Sequence, residues 1–269
     1  MTDNTPSQET LQQIAADLAC AYTTGVPIAP VRDLLVDGGI DAAYRVQQLQ
    51  TEQWLAAGRR IVGRKIGLTS EVVQRQLGVD QPDFGVLLAD MCLTTGDTVP
   101  FGSVVQPRVE AEVALVVNRD LVEPDVTIAE LLGAIEYVVP AIEVVGSRIA
   151  GWDITILDTV ADNASSGLFV LGTRPVKPGD IELRDLAMEL SIDGTVVSTG
   201  VGSACLGHPY RAALWLARRL AGAGTPLRAG DVVMTGALGP MVPLAPGAQV
   251  VATIEGLGTV RTSGGEAPA

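Results

Sequence analysis

The chain has 269 residues, of which 47% are hydrophobic and 18% are charged, so it can bury a sizeable core and is not a disordered chain. Its formal net charge of −13 argues against nucleic acid or an anionic membrane as the main partner. An anionic substrate would need a local source of positive charge. The chain has only two lysines, Lys65 and Lys177, so each of them stands out.

Histidine and cysteine usage excludes several chemistries. A single histidine, His208, rules out His-rich metal sites, and no G-x-S-x-G element accompanies it for a Ser-His-Asp triad. We therefore expect His208 to be structural, at the start of a helix. The cysteines (Cys20, Cys92 and Cys205) are widely spaced and odd in number, which indicates a reducing compartment. With neither a signal-peptide pattern nor a membrane-spanning apolar run, we expect a cytoplasmic protein.

The first 60 residues are predicted to form a small helical region. Apolar residues recur at helical spacing over 11–22, and a second helix is predicted over 41–57, ending at Gly58. A short strand follows over 61–67. A short helix is predicted after this strand; Thr69 or Ser70 would cap its start, and it would end before Gly78.

From about residue 84 the sequence becomes rich in short Val, Ile and Leu runs separated by turn residues, which predicts a β-rich body. Two helices interrupt it, one over 127–137 opened by a Thr-x-x-Glu capping box and one over 209–221. The predicted strands are 104–118, 138–145, a hairpin over 188–199 around Asp193-Gly194, 231–236, 248–255 and 258–262. We expect one catalytic domain over 61–262 and a disordered tail over 263–269.

Two glutamates on the longest predicted strand face the same way. Glu110 and Glu112 alternate with apolar residues, and their Cα atoms would lie roughly 6.6 Å apart at strand spacing. An apolar strand holds such a pair only if a cation neutralises the charges, if the carboxyls share a proton, or if they face water. Paired glutamates are most often the solvated side of a strand.

Glu143 is a third carboxylate inside an apolar run, with no basic residue adjacent to it. A buried, unpaired charge costs several kcal/mol or is neutralised by a pKa shift. If Glu143 converges with Glu110 and Glu112, the three form an all-oxygen site of the kind that Mg²⁺ or Mn²⁺ prefers. The residues alone leave a metal site and a solvated face equally open.

Lys65 lies between glycines in the stretch Gly63-Arg64-Lys65-Ile66-Gly67. The glycines allow another group to approach the backbone closely, and the ammonium could bind a carboxylate or stabilise an enolate. The alternative is an edge-strand lysine that prevents aggregation.

Three further polar segments are candidates for a site. Asp83 lies in a tight turn, residues 158–167 form a polar loop before a strand, and the glycine-containing segment 235–240 follows another strand. Each is equally compatible with ordinary turn chemistry.

Taken in order, these segments resemble the fumarylacetoacetase superfamily, and more closely its 2-keto-4-pentenoate hydratase family, from about residue 59 to 262. The segments that carry the resemblance are GRKIGLTS, GVDQPDFGVLLADM, QPRVEAEVALV, PAIEVVGSRI, DTVADNASSG, SACLGHP and DVVMTGALGPMV. The resemblance implies an α+β fold, a mixed β-roll or sandwich of the fumarylacetoacetase C-terminal-domain type with a small helical N-terminal region.

The resemblance also implies a set of site residues. It places the metal, Mg²⁺ or Mn²⁺, at Glu110, Glu112 and Glu143 and gives catalytic roles to Lys65 and Asp83. It also implies a catalytic role for the hydroxyl of Ser165 in the polar loop. The residues that it implies for substrate binding are Leu68, Thr235, Gly236, Ala237 and Leu238.

The activity implied is hydration of 2-hydroxypenta-2,4-dienoate to 4-hydroxy-2-oxopentanoate, in the meta-cleavage degradation of aromatic compounds. The alternative in the same superfamily is a 4-oxalocrotonate decarboxylase. An acylpyruvate hydrolase would need a water-activating His–Glu pair, for which His208 is poorly placed. From a different class, the chain could be a non-catalytic, cation-stabilised scaffold, in which case Lys65 and Asp83 would be dispensable. We expect a homo-oligomer, with a pathway decarboxylase or aldolase as a candidate associate.

Overall fold

The structure is a computed structural model that describes residues 5–70, 74, 79 and 81–267. Nearly all of the helix expected after Thr69 or Ser70 lies outside the described residues. Among the helices described, none is both long enough and apolar enough to cross a membrane.

The N-terminal helices pack as a small layer of their own. Their apolar sides meet one another and the apolar residues Ile149 and Val160 of the β-rich body. Ser7 accepts a hydrogen bond from the Thr10 N–H and so caps the first helix, while Gly25 ends it in a left-handed conformation. The helices of this layer are α1 (Gln8–Thr24), α2 (Arg32–Leu35) and α3 (Gly39–Ala56).

A large mixed sheet has the strand order β2-β1-β10-β5-β6-β7-β3 from edge to edge, with β11 paired to β5. Only β1 with β10 and β3 with β7 run parallel within it. The strands are β1 (Ile61–Gly67), β2 (Asp83–Leu88), β3 (Cys92–Thr94), β5 (Arg108–Val117), β6 (Ile135–Val145), β7 (Leu168–Leu171), β10 (Val232–Ala237) and β11 (Val242–Pro243).

A second sheet packs against the first in the order β4-β13-β12-β8-β9. The hairpin expected around Asp193-Gly194 is confirmed, because both residues have positive φ, 50° and 79°, as a tight two-residue turn requires. The strands are β4 (Thr98–Val99), β8 (Ala187–Ile192), β9 (Thr195–Val201), β12 (Gln249–Ile254) and β13 (Gly258–Gly264).

The main core lies between the two sheets and continues under α6 (Pro209–Gly222). His208 caps this helix, since its Nδ1 accepts a hydrogen bond from the Tyr210 N–H at 3.1 Å, which confirms the structural role expected for it. The remaining helices are α4 (Ile128–Ala134) and α5 (Ile156–Ala161). The α+β sandwich predicted from the sequence is confirmed.

Three predicted boundaries are wrong. The long strand begins at Arg108 rather than at residue 104, because Gln106 has a φ of 50° that interrupts extended backbone. The helix opened by Thr127 ends at Ala134, because residues 135–137 pair with β5 and belong to β6. The last strand continues through Gly264, which pairs with β4, so 263–264 are not part of a disordered tail.

The carboxylate of Asp158 ties the helical layer to the β-rich body. It is fully buried on α5 and accepts hydrogen bonds from the backbone N–H groups of Val31 and Arg32, at 2.8 and 2.9 Å. The Arg32 guanidinium pairs with it at 3.1 Å, and the N–H of Thr155 donates to it at 2.8 Å. One buried side chain therefore satisfies donors from two parts of the fold.

Replacing this carboxylate should loosen the helical layer. We expect Asp158→Ala to lower the free energy of unfolding by about 3 kcal/mol, because several buried donors lose their acceptor. Asp153 is the matched control, since it pairs with the same Arg32 but its side chain is 66% exposed; Asp153→Ala should cost less than about 1 kcal/mol. Urea denaturation of both variants measures the difference, and equal losses would contradict this role for Asp158.

Candidate active site

Four adjacent strands of the large sheet and one edge strand bring the expected polar residues to one place. Lys65 lies near the end of β1 and Asp83 begins β2, where it is the register partner of Gly67. Glu110 of β5 pairs directly with Glu143 of β6. Glu112 follows two residues along β5, on the same side of the sheet.

The three glutamates are clustered and largely shielded from water. One carboxylate oxygen from each of Glu110, Glu112 and Glu143 lies within 4.8 Å of the others. Glu112 and Glu143 are fully buried and Glu110 is half-buried. The interpretation of these residues as a solvated strand face is therefore wrong.

Three of the carboxylate oxygens in this cluster have no hydrogen-bond donor among the described residues. Both carboxylate oxygens of Glu143 and one of Glu112 are buried without such a partner within the described part of the chain. The other Glu112 oxygen accepts from the Gly236 N–H at 2.9 Å. Buried carboxylate oxygens without partners are costly, so the cluster is suited to an additional positive group.

Burial and mutual repulsion raise the pKa values in the cluster. Burial, followed by the charge of Glu143, raises the pKa of Glu110 to about 8. The same two causes, with the charge of Glu110 added, raise the pKa of Glu112 well above its ordinary value. Without a cation between them, burial and mutual repulsion favour the protonated forms of Glu110 and Glu112.

Lys65 provides positive charge beside the cluster. Its ammonium lies 3.3 Å from a Glu143 carboxylate oxygen, and its side chain is 4% exposed. Burial by itself lowers the pKa of Lys65, but the carboxyls of Glu143, Asp83, Glu110 and Glu112 together raise it above its ordinary value. Lys65 is therefore a permanently charged group in the site and not an edge-strand lysine.

Asp83 faces the ammonium from the neighbouring strand. Its carboxyl is buried, and neither oxygen has a hydrogen bond that satisfies it within the described residues. Burial raises its pKa, although the charge of Lys65 acts in the opposite direction. A Cβ at Gly67 would overlap a carboxylate oxygen of Asp83, which explains why a glycine stands opposite it.

The polar loop after α5 reaches the site with an unusual backbone. Asn163, Ala164 and Ser165 all have positive φ, between 52° and 55°, in a conformation that is strained for side chains other than glycine. The Asn163 amide fixes the loop to β2 by exchanging two hydrogen bonds with the Val86 backbone, at 2.7 and 3.0 Å. Ser165 is thereby held in the interior, with its hydroxyl 3.2 Å from that of Thr159.

Arg148 holds this loop, and the sequence analysis missed it. The guanidinium is 1% exposed and pairs with Asp162 at 2.5 Å, while also donating to the carbonyls of Asp162 and Ser166, at 2.8 and 2.9 Å. Its face lies 4.0 Å from the Tyr22 ring of α1. A lone arginine directly after the apolar run of β6 is the signal that could have identified it.

The end of β10 forms another wall of the site. The N–H of Gly236 is committed to Glu112, and the N–H of Leu238 donates to the Ala111 carbonyl at 3.0 Å. The Thr235 hydroxyl donates to the Val113 carbonyl at 2.9 Å. The polar groups of this segment, which were expected to contact a substrate, thus largely form hydrogen bonds within the protein. One of these hydrogen bonds fixes Glu112, whose register partner is Ala237.

Leu68 and Thr69 close the site beside β10. Leu68 has a φ of 56°, and its carbonyl accepts a hydrogen bond from the Gln74 amide at 2.6 Å. Gly236 has a φ of 106°, and a Cβ there would overlap the side chain of Thr69. Glycine is therefore required at position 236 both for backbone conformation and for space.

The glutamate cluster fits a divalent cation. Carboxylate oxygens are the ligands that hard divalent ions prefer, and one oxygen from each of the three glutamates lies within 4.8 Å of the others. The oxygens without donors are the ones that a cation would satisfy.

Removing divalent cations should give the protein a characteristic pH dependence. Because the pKa of Glu110 is raised to about 8 from an ordinary value of 4.5, the folded state binds more protons than the unfolded state between these values. The contribution of Glu110 to the stability of the chelated protein should therefore be fully present below its ordinary pKa and should be lost as pH rises through about 8.

Added Mg²⁺ or Mn²⁺ should restore stability increasingly as pH rises, because the cation binds the deprotonated carboxylates. Thermal melts with and without cation, at about pH 6 and about pH 8.5, measure both effects. The Glu112→Gln variant should lose most of the cation-dependent stabilisation, and Glu189→Gln, at an exposed position on β8, should keep it. Cation stabilisation that is the same at both pH values would contradict the assignment.

The chain is similar to a family of known proteins. The model of the fumarylacetoacetate (FAA) hydrolase C-terminal family matches residues 60–263. The chain is 56% identical to a TodF product hydratase of Pseudomonas putida, over 91% of this chain and 92% of that protein. It is 55% identical to 2-keto-4-pentenoate hydratase 2 of Dechloromonas aromatica, over 97% and 98%.

A solved structure resembles the whole chain. The 4-oxalocrotonate decarboxylase of Pseudomonas putida G7, complexed with magnesium and adipate, superposes with a TM-score of 0.92 at 33% identity, covering 96% of this chain and 98% of that chain. The match includes the helical layer as well as the two sheets. On the family model and on these relatives together, the chain belongs to the fumarylacetoacetate hydrolase C-terminal family.

Proposed function

We propose that this protein is a divalent-cation-dependent hydratase that converts 2-hydroxypenta-2,4-dienoate into 4-hydroxy-2-oxopentanoate, in the meta-cleavage degradation of aromatic compounds. The observation that carries the proposal is the buried cluster of three glutamates beside Lys65 and Asp83. The names of the relatives at 55–56% identity over nearly the whole chain support the hydratase reaction.

The cation would be held by Glu110, Glu112 and Glu143. When bound, Mg²⁺ or Mn²⁺ supplies positive charge that offsets the substrate carboxylate and favours the enolate at its C2 oxygen. The Gly236 N–H orients Glu112 for this role, because it fixes one carboxylate oxygen and leaves the other without a donor. An acidic protein can thus accept an anionic substrate at this one place.

Lys65 stabilises negative charge on the substrate's C2 oxygen. Its ammonium remains charged because four carboxyls surround it, and its pairing with Glu143 fixes it within the site. Burial strengthens such an interaction, since little water competes with it. Lys65 therefore acts as a fixed electrostatic group and not as a proton donor.

Asp83 is the group that moves protons. The overall reaction needs a proton at C5, a water oxygen at C4 and a proton at C3, while the 2-hydroxyl proton is lost. Burial raises the pKa of the Asp83 carboxyl above its ordinary value, which suits this group to give a proton and later to accept one from water. Ser165, held by the strained loop, supplies a hydroxyl that orients the substrate or the water.

The backbone around Leu68 and the end of β10 shapes the pocket. The left-handed conformation of Leu68 turns the chain at the end of β1, beside the segment 235–238. Because the Gly236 and Leu238 N–H groups are already bonded, this segment contributes a close-fitting wall rather than an anion-binding loop. We propose that substrate binding by residues 235–238 is mainly steric.

The alternative is a 4-oxalocrotonate decarboxylase. The structural match to such an enzyme at 33% identity favours it, since both reactions need a stabilised enolate. Its substrate has a second carboxylate, which requires a second cationic group. Arg148 is the buried arginine nearest to the polar loop, but its guanidinium is already bonded to Asp162 and Ser166. This commitment favours the substrate with one carboxylate.

Incubation with each substrate distinguishes the two functions. With Mg²⁺ present, we expect 2-hydroxypenta-2,4-dienoate to give 4-hydroxy-2-oxopentanoate, and 4-oxalocrotonate to release little CO₂. Product analysis by NMR and a CO₂ assay measure both reactions on the same preparation. Efficient release of CO₂, with no hydration of the dienoate, would show that the decarboxylase alternative is correct.

Replacing Asp83 tests the proton-transfer role. We expect Asp83→Asn to lower kcat by about 10² to 10⁴-fold, with a small change in KM, because the amide keeps the shape but cannot carry the proton. Cation binding should be retained, since the glutamates are intact. Asp90, an exposed residue just after β2 that pairs with Arg59, is the matched control, and Asp90→Asn should keep full activity. An active Asp83→Asn variant would remove Asp83 from the mechanism.

A further inference from the structure

A second polar cavity lies at the opposite end of β1 and β10 from the active site. It has a volume of about 460 Å³ and is lined by parts of two segments, 60–64 and 224–231. The first segment leads into β1 and the second leads into β10. Three arginines, Arg60, Arg64 and Arg228, contribute to its lining.

Arg64 is buried with most of its hydrogen-bonding capacity unused. The residue is 8% exposed, and its Nη1 donates to the carbonyl of the adjacent Gly63 at 3.0 Å. Its Nε is buried without a partner within the described part of the chain. A guanidinium presents five N–H donors, so this arrangement leaves a buried positive charge poorly compensated.

The neighbouring acidic groups only partly offset this charge. Arg228 pairs with Asp120 at 2.7 Å, and Asp231 accepts a hydrogen bond from the Arg228 N–H at 2.8 Å. Asp231 attracts Arg64, but the two form no ion pair in the described structure. Arg60 is exposed, and its side chain forms no ion pair or hydrogen bond with any described residue. The cavity therefore keeps excess positive charge in a protein whose net charge is −13.

The strand geometry separates this cavity from catalysis. Arg64 and Lys65 are adjacent on β1, so their side chains point to opposite faces of the sheet. The register of β1 with β2 shifts between Ile61 and Gly63, and such a bulge re-aims the side chains that follow. The carbonyl oxygens of Leu220 and Ala221, at the end of α6, accept hydrogen bonds from N–H groups of the next turn. Their partial negative charge is therefore offset and repels an anion less.

We propose that this cavity binds an oxyanion, either a phosphate group or the carboxylate of a small molecule, between the guanidinium groups of Arg60 and Arg64. Planar guanidinium groups match both oxyanions through paired, charge-assisted hydrogen bonds. The site is distinct from the glutamate cluster and needs no metal ion.

Calorimetric titration of the full-length protein tests the site. Orthophosphate and succinate are titrated separately into protein stripped of divalent ions, at constant ionic strength set with chloride. Stripping the protein removes the divalent cation that would attract an anion to the glutamate cluster. We expect one saturable site per chain for at least one of the two probes, and the probe that binds more tightly identifies the class of ligand.

Two variants and a matched control locate the binding. Arg60→Gln, at an exposed position, should weaken binding by about tenfold, and Arg64→Met should abolish it, because each removes charge-assisted hydrogen bonds. Arg59→Gln removes a neighbouring arginine that is paired with Asp90 outside the cavity, and it should bind like the unaltered protein. If Arg64→Met fails to fold, Arg60→Gln alone decides the result.

The proposal is overturned if neither probe binds saturably or if Arg60→Gln and Arg59→Gln bind equally well. It is also overturned if Arg60→Gln changes the size of the assembly while neither probe binds, since the cavity would then be covered by a second copy of the chain. Dienoate hydration by Arg60→Gln should equal that of the unaltered protein, so loss of anion binding is distinguishable from loss of the active site.

Discussion

The crowding of buried carboxyl groups at one end of the large sheet is the constraint on which the site depends. Glu110, Glu112 and Glu143 converge from two paired strands, and the ammonium of Lys65 offsets only part of their charge. The remainder must be neutralised by protons or by a cation, because no solvent is available to buried carboxylates. This unbalanced charge is the reason for which we propose that the site binds a divalent cation together with an anionic substrate.

The surrounding fold holds these charges at fixed positions. Asp158 links the helical layer to α5, and Arg148 links the polar loop to α1 through Tyr22. The loop is thereby kept in a backbone conformation that its residues would not adopt in isolation. The N-terminal helices are thus part of the support of the active site and not an independent appendage.

In the reaction proposed for the protein, two neighbouring titratable groups have different roles. In this proposal Lys65 remains charged and stabilises negative charge on the substrate, whereas Asp83, whose pKa is raised by burial, exchanges protons. The two lie on adjacent strands, so one substrate can contact both. Environments that separate the roles of neighbouring titratable groups in this way are typical of acid–base catalysts.

The sequence by itself determined the helical start and β-rich body, the tight hairpin at Asp193-Gly194, the helix starting beside His208 and the identity of the unusual acids, because these depend on local pattern and composition. The α+β class followed from the resemblance of the sequence to a known family. It could not decide whether Glu110 and Glu112 face water, since strand periodicity fixes a shared face but not what covers that face. Tertiary structure alone decided three features. They are the register of Glu110 with Glu143, the ion pair of Arg148 with Asp162, and the burial of the Arg64 Nε without a hydrogen-bond partner among the described residues. Each of them joins residues that are far apart in sequence or depends on burial, and neither property is encoded in a local pattern.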